Sequence, residues 1–137
     1  VYWYLKRFSG MCGLIGNDGA FPVDANGITK DGYIMAHYAK YAARMTRIKV
    51  SVGNSDVLVT AYINADKTEM TIVAVNMGKH SFSASIVSPL PVEKLDGTES
   101  TMDSNMIPAT TNISVDKSDI SVLIPPLSVV SVRLDLK

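Results

Sequence analysis

From Ser51 onward, apolar residues fall at every second position in short runs, and turn-forming residues cut the runs at near-regular intervals. Val57, Val59, Ala61 and Ile63 form one such set, Met70, Ile72 and Ala74 another, and Val130, Val132, Leu134 and Leu136 the last. A period of two puts each set on one face of an extended strand, because successive β-residues point to opposite sides. Breakers stand at Gly53-Asn54, Asn64-Ala65-Asp66, Asn76-Met77-Gly78, Asp96-Gly97 and Pro125-Pro126. That spacing leaves no room for the helical crossovers of βαβ units, so this part reads as an antiparallel sandwich or barrel. Strands are expected at roughly 46–52, 55–64, 68–76, 80–87, 90–95, 111–115, 119–124 and 128–136. The other face of the third strand, Thr71, Val73 and Val75, is also largely apolar, which makes that strand central and covered on both sides. The last strand sets Ser131, Arg133 and Asp135 against its apolar face, which suits a half-exposed position.

The first 45 residues follow different rules. Thr29 can cap a helix in which Ile34, Tyr38 and Tyr41, with Met35 and Ala39 beside them, recur at three- and four-residue spacing, and a helix is expected over about 29–43. Ahead of it, Gly10, Gly13, Gly16, Asn17-Asp18-Gly19, Pro22 and Asn26-Gly27 make a long loop, and Val1 to Lys6 is aromatic and β-prone. A loop of about twenty residues between a strand and a helix is uncommon unless it has a task, since most such loops have about 2–6 residues. In α/β barrels the task is substrate binding, because active sites are built from loops at the C-terminal strand ends. A lone βα unit closes no barrel, so the rest of one is expected upstream. The expected fold is therefore mainly β: a β-sandwich over 46–137, preceded in 1–45 by one βα unit, the last strand and helix of a TIM-type barrel.

Composition excludes several classes of function. Thirteen Lys plus Arg balance thirteen Asp plus Glu, so no net field draws the chain to nucleic acid or an anionic membrane. Its apolar runs are far shorter than the roughly 20 residues that cross a bilayer. Cys12 is the single cysteine, which rules out an internal disulfide and a cysteine-rich zinc site. The opening residues have no charged n-region, apolar core or small-residue cleavage site, and are expected to be the middle of something longer rather than a signal peptide. His37, mid-helix with no second ligand at metal spacing, reads as a packed or solvated helix histidine, and His80 beside a turn reads likewise. Asn17-Asp18-Gly19 and Asp24-Ala25-Asn26-Gly27 lack the terminal bidentate Glu of a calcium loop and read as turns. No metal and no cofactor are expected.

Val1-Tyr2-Trp3-Tyr4-Leu5-Lys6-Arg7 followed by Gly10, and then Ile28-Thr29-Lys30-Asp31-Gly32-Tyr33-Ile34-Met35-Ala36-His37-Tyr38-Ala39-Lys40-Tyr41, resemble the end of the barrel in glycoside hydrolase family 30, xylanase branch. That branch has an aromatic and basic cluster at its eighth strand and a helix close to I-S-K-R-G-Y-x-M-A-x-F-S-K. Thr60-Ala61-Tyr62, Ile72-Val73-Ala74-Val75-Asn76 and Ile124-Pro125-Pro126-Leu127-Ser128-Val129-Val130-Ser131 are similar to the family's side domain, whose closing hairpin often reads L-P-A-Q-S-V-T-T. The loop 11–27 and the region 96–112 are unmatched.

The resemblance implies the C-terminal part of a retaining, secreted, endo-acting xylanase. Retention needs two carboxylates about 5–5.5 Å apart. Both are glutamates on earlier barrel strands in the family, whereas Glu69, Glu93 and Glu99 here all fall in the expected sandwich. No catalytic residue is therefore expected in the chain, and the expected partners are xylan or xylo-oligosaccharide and an upstream catalytic barrel. Trp3 matches an aromatic that walls the sugar subsites, where an indole can stack on a pyranose. Arg7 matches a basic residue that grips the glucuronic acid carboxylate through its guanidinium fork. Tyr4 belongs to the same cluster. Ser9 stands where the family's helper Tyr is usual, which points to a relaxed requirement for the side chain.

Two other classes compete: a free-standing carbohydrate-binding module and a purely structural sandwich. Binding modules display rows of exposed aromatics, yet eight of the ten aromatics lie at or before Tyr41, leaving Tyr62 and Phe82 in the sandwich. If residues 1–8 pair with no other strand and leave Tyr2, Trp3 and Tyr4 exposed, the chain is expected to be a severed piece of a barrel protein; if they join the sandwich, that reading weakens.

Overall fold

The alternating runs become strands. A computed structural model of the chain describes residues 4–6, 13–15, 23–109 and 113–137. Two short strands, β1 (Tyr4–Lys6) and β2 (Gly13–Ile15), precede the helix α1 (Lys30–Tyr41). Then follow β3 (Thr46–Ile48), β4 (Val57–Ile63), β5 (Glu69–Asn76), β6 (Phe82–Val87), β7 (Val92–Ser100), β8 (Ile107–Pro108), β9 (Ile113–Asp116), β10 (Asp119–Ile124) and β11 (Ser128–Leu136). A six-stranded sheet runs β3-β4-β5-β11-β7-β8 and a three-stranded sheet β6-β10-β9, with antiparallel neighbours throughout.

The two sheets enclose the core, and its residues are those the period-two pattern selects. Val57 and Ala61 of β4, Met70, Ile72 and Ala74 of β5, and Val130, Val132, Leu134 and Leu136 of β11 are buried against Ile120, Val122 and Ile124 of β10. Apolar area removed from water drives this packing, at about 25 cal/mol per Å². Central placement of β5 holds as expected: it lies between β4 and β11, and Thr71 and Val73 on its second face are fully buried.

Four expectations need correction. β11 is not half-exposed but sits mid-sheet between β5 and β7, and Ser131 on its polar side is 1% exposed beneath α1. Only Arg133 and Asp135, past the end of the helix, reach solvent on that face. Asp96-Gly97 is not a turn, because β7 runs through it to Ser100. Gly97 is needed there for close approach: a Cβ on it would lie 2.1 Å from Ile113 Cδ1 and 3.5 Å from Ala109 Cβ, so Ile113 of β9 occupies the space a side chain would take. The expected loop 11–27 contains β2, which pairs in parallel with β1. β8, a two-residue addition to the β7 edge, also falls in a stretch with no strand expected.

The helix starts as the sequence indicates. Thr29 has extended dihedrals (φ −79°, ψ 164°) and its Oγ1 accepts from the Gly32 amide at 3.1 Å, an N-cap. It ends slightly early, with Ala42 N–H closing on the Tyr38 carbonyl at 2.9 Å and Arg44 turning the chain at φ 65°.

Candidate functional site

The chain ahead of the helix is tied down by two local devices. Asp24 Oδ1 accepts from the amides of Asn26 and Ile28, each at 2.9 Å, and Oδ2 accepts from the Tyr33 hydroxyl. The Tyr33 bond, then the Ile28 amide, hold the Asp24 carboxyl below the usual carboxylate range, and the same bond pushes the Tyr33 phenol up. β2 is fastened to the helix start: the Leu14 carbonyl accepts from Thr29 N at 3.1 Å and from Thr29 Oγ1 at 3.0 Å. Gly32 makes this approach possible, since a Cβ there would stand 2.4 Å from the Leu14 oxygen and 2.8 Å from Ile28 Cγ2.

α1 is held on the six-stranded sheet by polar groups. His37, with no exposed surface, places Nδ1 2.7 Å from Ser131 Oγ on β11 and Nε2 2.9 Å from Ser100 Oγ on β7. Ser100 Oγ also accepts from Met106 N at 2.9 Å. The neutral ring donates from one nitrogen and accepts at the other, so one serine accepts from it and the other donates to it. One turn on, the Tyr41 hydroxyl bonds Thr98 Oγ1. At the other end, Lys30 Nζ donates to the carbonyls of Thr101 (2.8 Å) and Ser104 (3.2 Å) and to Asn105 Oδ1. Burial, and secondarily the Lys40 charge, lower the His37 pKa to about 4, so the ring is neutral at physiological pH. The reading of His37 as a packed histidine holds, but its serine partners carry no signal of their own in the sequence.

A cleft of about 250 Å³ opens between the N-terminal half of α1 and the ends of β5, β7 and β11, with Ile34, Val75, Met77, Met102, Leu127 and Val129 among its walls. Its polar neighbours are engaged internally: Lys30 as above, Ser128 Oγ with the Pro125 carbonyl at 2.6 Å, and Asn76 in four bonds. This cleft can receive an apolar group but offers no acid–base pair.

Trp3, Arg7 and Ser9 lie outside the described residues. Tyr4 opens β1, its backbone in register with Gly13. The glutamates form no retaining pair. Glu69 on β5 is separated by β11 from Glu93 and Glu99 on β7, and at about 3.3 Å per residue those two are themselves about 20 Å apart along their strand. Glu69 instead pairs with Arg133 at 2.9 Å. Among the described residues no group of His, Cys, Asp and Glu could hold a metal ion, and no helix is long and apolar enough to cross a membrane.

No protein-family model and no curated protein matches the chain. Solved structures do. A glycoside hydrolase family 30 subfamily 8 xylanase from Clostridium acetobutylicum superposes with a TM-score of 0.73 at 24% identity, over 90% of this chain and 31% of that one. The chain has the fold of part of a family 30 xylanase. The catalytic domain of the family 30 xylanase C from Talaromyces cellulolyticus gives the same TM-score, 0.73, at 19% identity over 96% of this chain and 29% of the other. A family 51 arabinofuranosidase from Xanthomonas axonopodis pv. citri follows at TM-score 0.65 and 19% identity, covering 91% and 29%. The chain thus spans about a third of the length of the structures it resembles. The family 30 fold expected from the helix and hairpin motifs is present, and because a family 51 enzyme shares it, the fold leaves the substrate to be argued from site residues.

Proposed function

We propose that the chain is the C-terminal part of a retaining endo-β-1,4-xylanase-like hydrolase, with residues 1–45 supplying the last strand and helix of a (β/α)₈ barrel and residues 46–137 the side domain that braces it. The observation that carries this reading is the placement of β1 and β2. They pair in parallel with each other and, among the described residues, with no strand of the antiparallel sandwich, while β2 is bonded to α1. A strand pair kept apart from the sandwich and followed by a helix supports a barrel origin for this part, although the expected unit has one strand and β1 pairs with β2, and the sandwich's fold matches family 30 xylanases. A free-standing binding module is disfavoured because Phe82 packs on the core and Tyr62 is half-buried, leaving no aromatic row on the sandwich.

In this reading Trp3 stacks on a xylose ring with Tyr4 beside it, Arg7 binds the carboxylate of a glucuronic acid branch, and Ser9 in place of a tyrosine relaxes dependence on that branch. The two catalytic glutamates reside upstream, and the enzyme works outside the cell, where xylan is found. Polypeptide extended upstream to a full barrel should hydrolyse glucuronoxylan with retention of anomeric configuration by proton NMR, whereas the 137-residue chain alone should release no reducing sugar. Inversion, or hydrolysis by the chain alone, would refute the assignment. In the extended enzyme Arg7→Ala should weaken action on glucuronoxylan more than on linear xylo-oligosaccharides; equal loss on both removes Arg7 from side-chain recognition.

A further inference from the structure

We propose that the docking of α1 on the six-stranded sheet is an acid-sensitive latch, opened when His37 takes up a proton while the sandwich beneath it stays folded. The contact is held by hydrogen bonds from helix side chains to groups far away in sequence: His37 to the Ser131 and Ser100 hydroxyls, Tyr41 to the Thr98 hydroxyl, Lys30 to the Thr101 and Ser104 carbonyls. The sandwich core lies on the other side of the same sheet and uses none of these groups. Losing the helix contact therefore leaves the inter-sheet packing in place.

The network around His37 suits a neutral ring. Such a ring accepts at one nitrogen, so one of the two serines gives its hydroxyl hydrogen to it, while Ser100 Oγ also accepts the Met106 amide. A proton arriving on the accepting nitrogen makes it a donor. That serine must then turn its hydroxyl hydrogen away from the ring, and a buried donor loses its partner as a buried cation appears.

Among the described residues no carboxylate faces the ring to offset that charge. From α1 itself the nearby charge is Lys40, a cation resting 4.8 Å from the centre of the Tyr41 ring. From β7 the facing groups are Ser100 and Thr98, with Asp96 next along that face; from β11 they are Val129 and Ser131, with Arg133 next; from β5, Val73, with Thr71 next. Asp96 stands across from Arg133 in the register, one pair further along the sheet from Thr98 and Ser131, and Glu69 and Asp135 are paired with the Arg133 guanidinium, a different cation. Asp103, in the turn that Lys30 holds, is exposed, and Leu14 of β2 brings no charge. The pKa of about 4, against about 6.5 for a free histidine, corresponds to a fall of about 300-fold in the docking equilibrium as pH drops through that window.

Hydrogen–deuterium exchange on the whole 137-residue chain tests the latch. Between pH 7 and pH 4, after correction for intrinsic rates, α1 amides should lose up to about 100-fold in protection while β5, β10 and β11 keep theirs. The NMR titration midpoint of the His37 ring should coincide with the loss in α1, with exposed His80 as the in-chain control. His37→Gln, a neutral side chain able to bond a serine, should abolish the pH response of α1. Loss of protection in α1 and the sandwich together, full protection of α1 at pH 4, a His37 midpoint displaced from the α1 transition, or a His37→Gln chain whose helix still opens on acidification would each overturn the proposal. The ring titration of the unmodified chain decides the matter even if the variant fails to dock.

Discussion

Asn76→Ala should destabilise the chain by about 3 kcal/mol, although the residue is polar and lies at the end of its strand. Asn76 is 2% exposed at the C-terminal end of β5. Its Nδ2 donates to the carbonyls of His80 (2.9 Å), Ile124 (3.2 Å) and Pro125 (2.9 Å), and Oδ1 accepts from Gly78 N at 2.9 Å. These partners lie in the turn leading from β5 to β6 and the turn from β10 to β11, the two places near this edge where the chain passes between sheets. One amide therefore satisfies groups in both crossings. Removing it strips partners from buried backbone oxygens, each costing about 1–3 kcal/mol when left unsatisfied, while water entering the vacated space recovers part of that. Asn76→Asp should be at least as damaging, because it turns an acceptor toward those same carbonyls and adds a charge. Urea unfolding monitored by circular dichroism measures both; a cost under about 1 kcal/mol for the alanine variant would show that solvent replaces the amide.

Residues such as Asn76 mark the limit of what pattern can show. The sandwich was legible because burial on one face imposes alternation, and Val57, Ala61, Ile72, Ala74 and Val132 all lie where alternation places them. Asn76-Met77-Gly78 was legible as a break but not as a joint, because its partners at Ile124 and Pro125 are 48 and 49 residues away. Gly97 was misread for a related reason. A glycine after an aspartate serves a turn or a close approach equally well, and only the position of Ile113 decides between them. β2 and β8 are too short for any period to register.

The candidate site shows the same division. Its support was partly legible: Thr29 read as a cap and is one, and the spacing of Ile34 and Tyr41 gave the inward side of α1. What holds that side down was not. Ser100 and Ser131 are unremarkable as sequence, and they become partners of His37 only because β7 and β11 are neighbours in the sheet, 63 and 94 residues from the helix position they meet. Gly32 read as one more residue of a motif, while the structure gives it the task of admitting the Leu14 carbonyl.

The corrected position of β11 leads to the other large effect. Leu134→Ala should cost about 3–4 kcal/mol, and Arg133→Ala, one residue away, less than about 1 kcal/mol. Leu134 has no exposed surface and stands across from Met70 on β5 and Leu95 on β7, so truncation leaves a void walled on both sides by strands that cannot close inward without breaking their own ladders. Arg133 points the other way, its side chain 46% exposed, bonded to Glu69 at 2.9 Å and near Asp135 at 3.5 Å. Solvent screening leaves such a pair little net value. On a half-exposed edge strand the leucine could relax toward solvent and the two costs would converge. In the middle of the sheet they should differ severalfold, and chemical denaturation of the two variants under identical conditions would show which geometry the chain adopts.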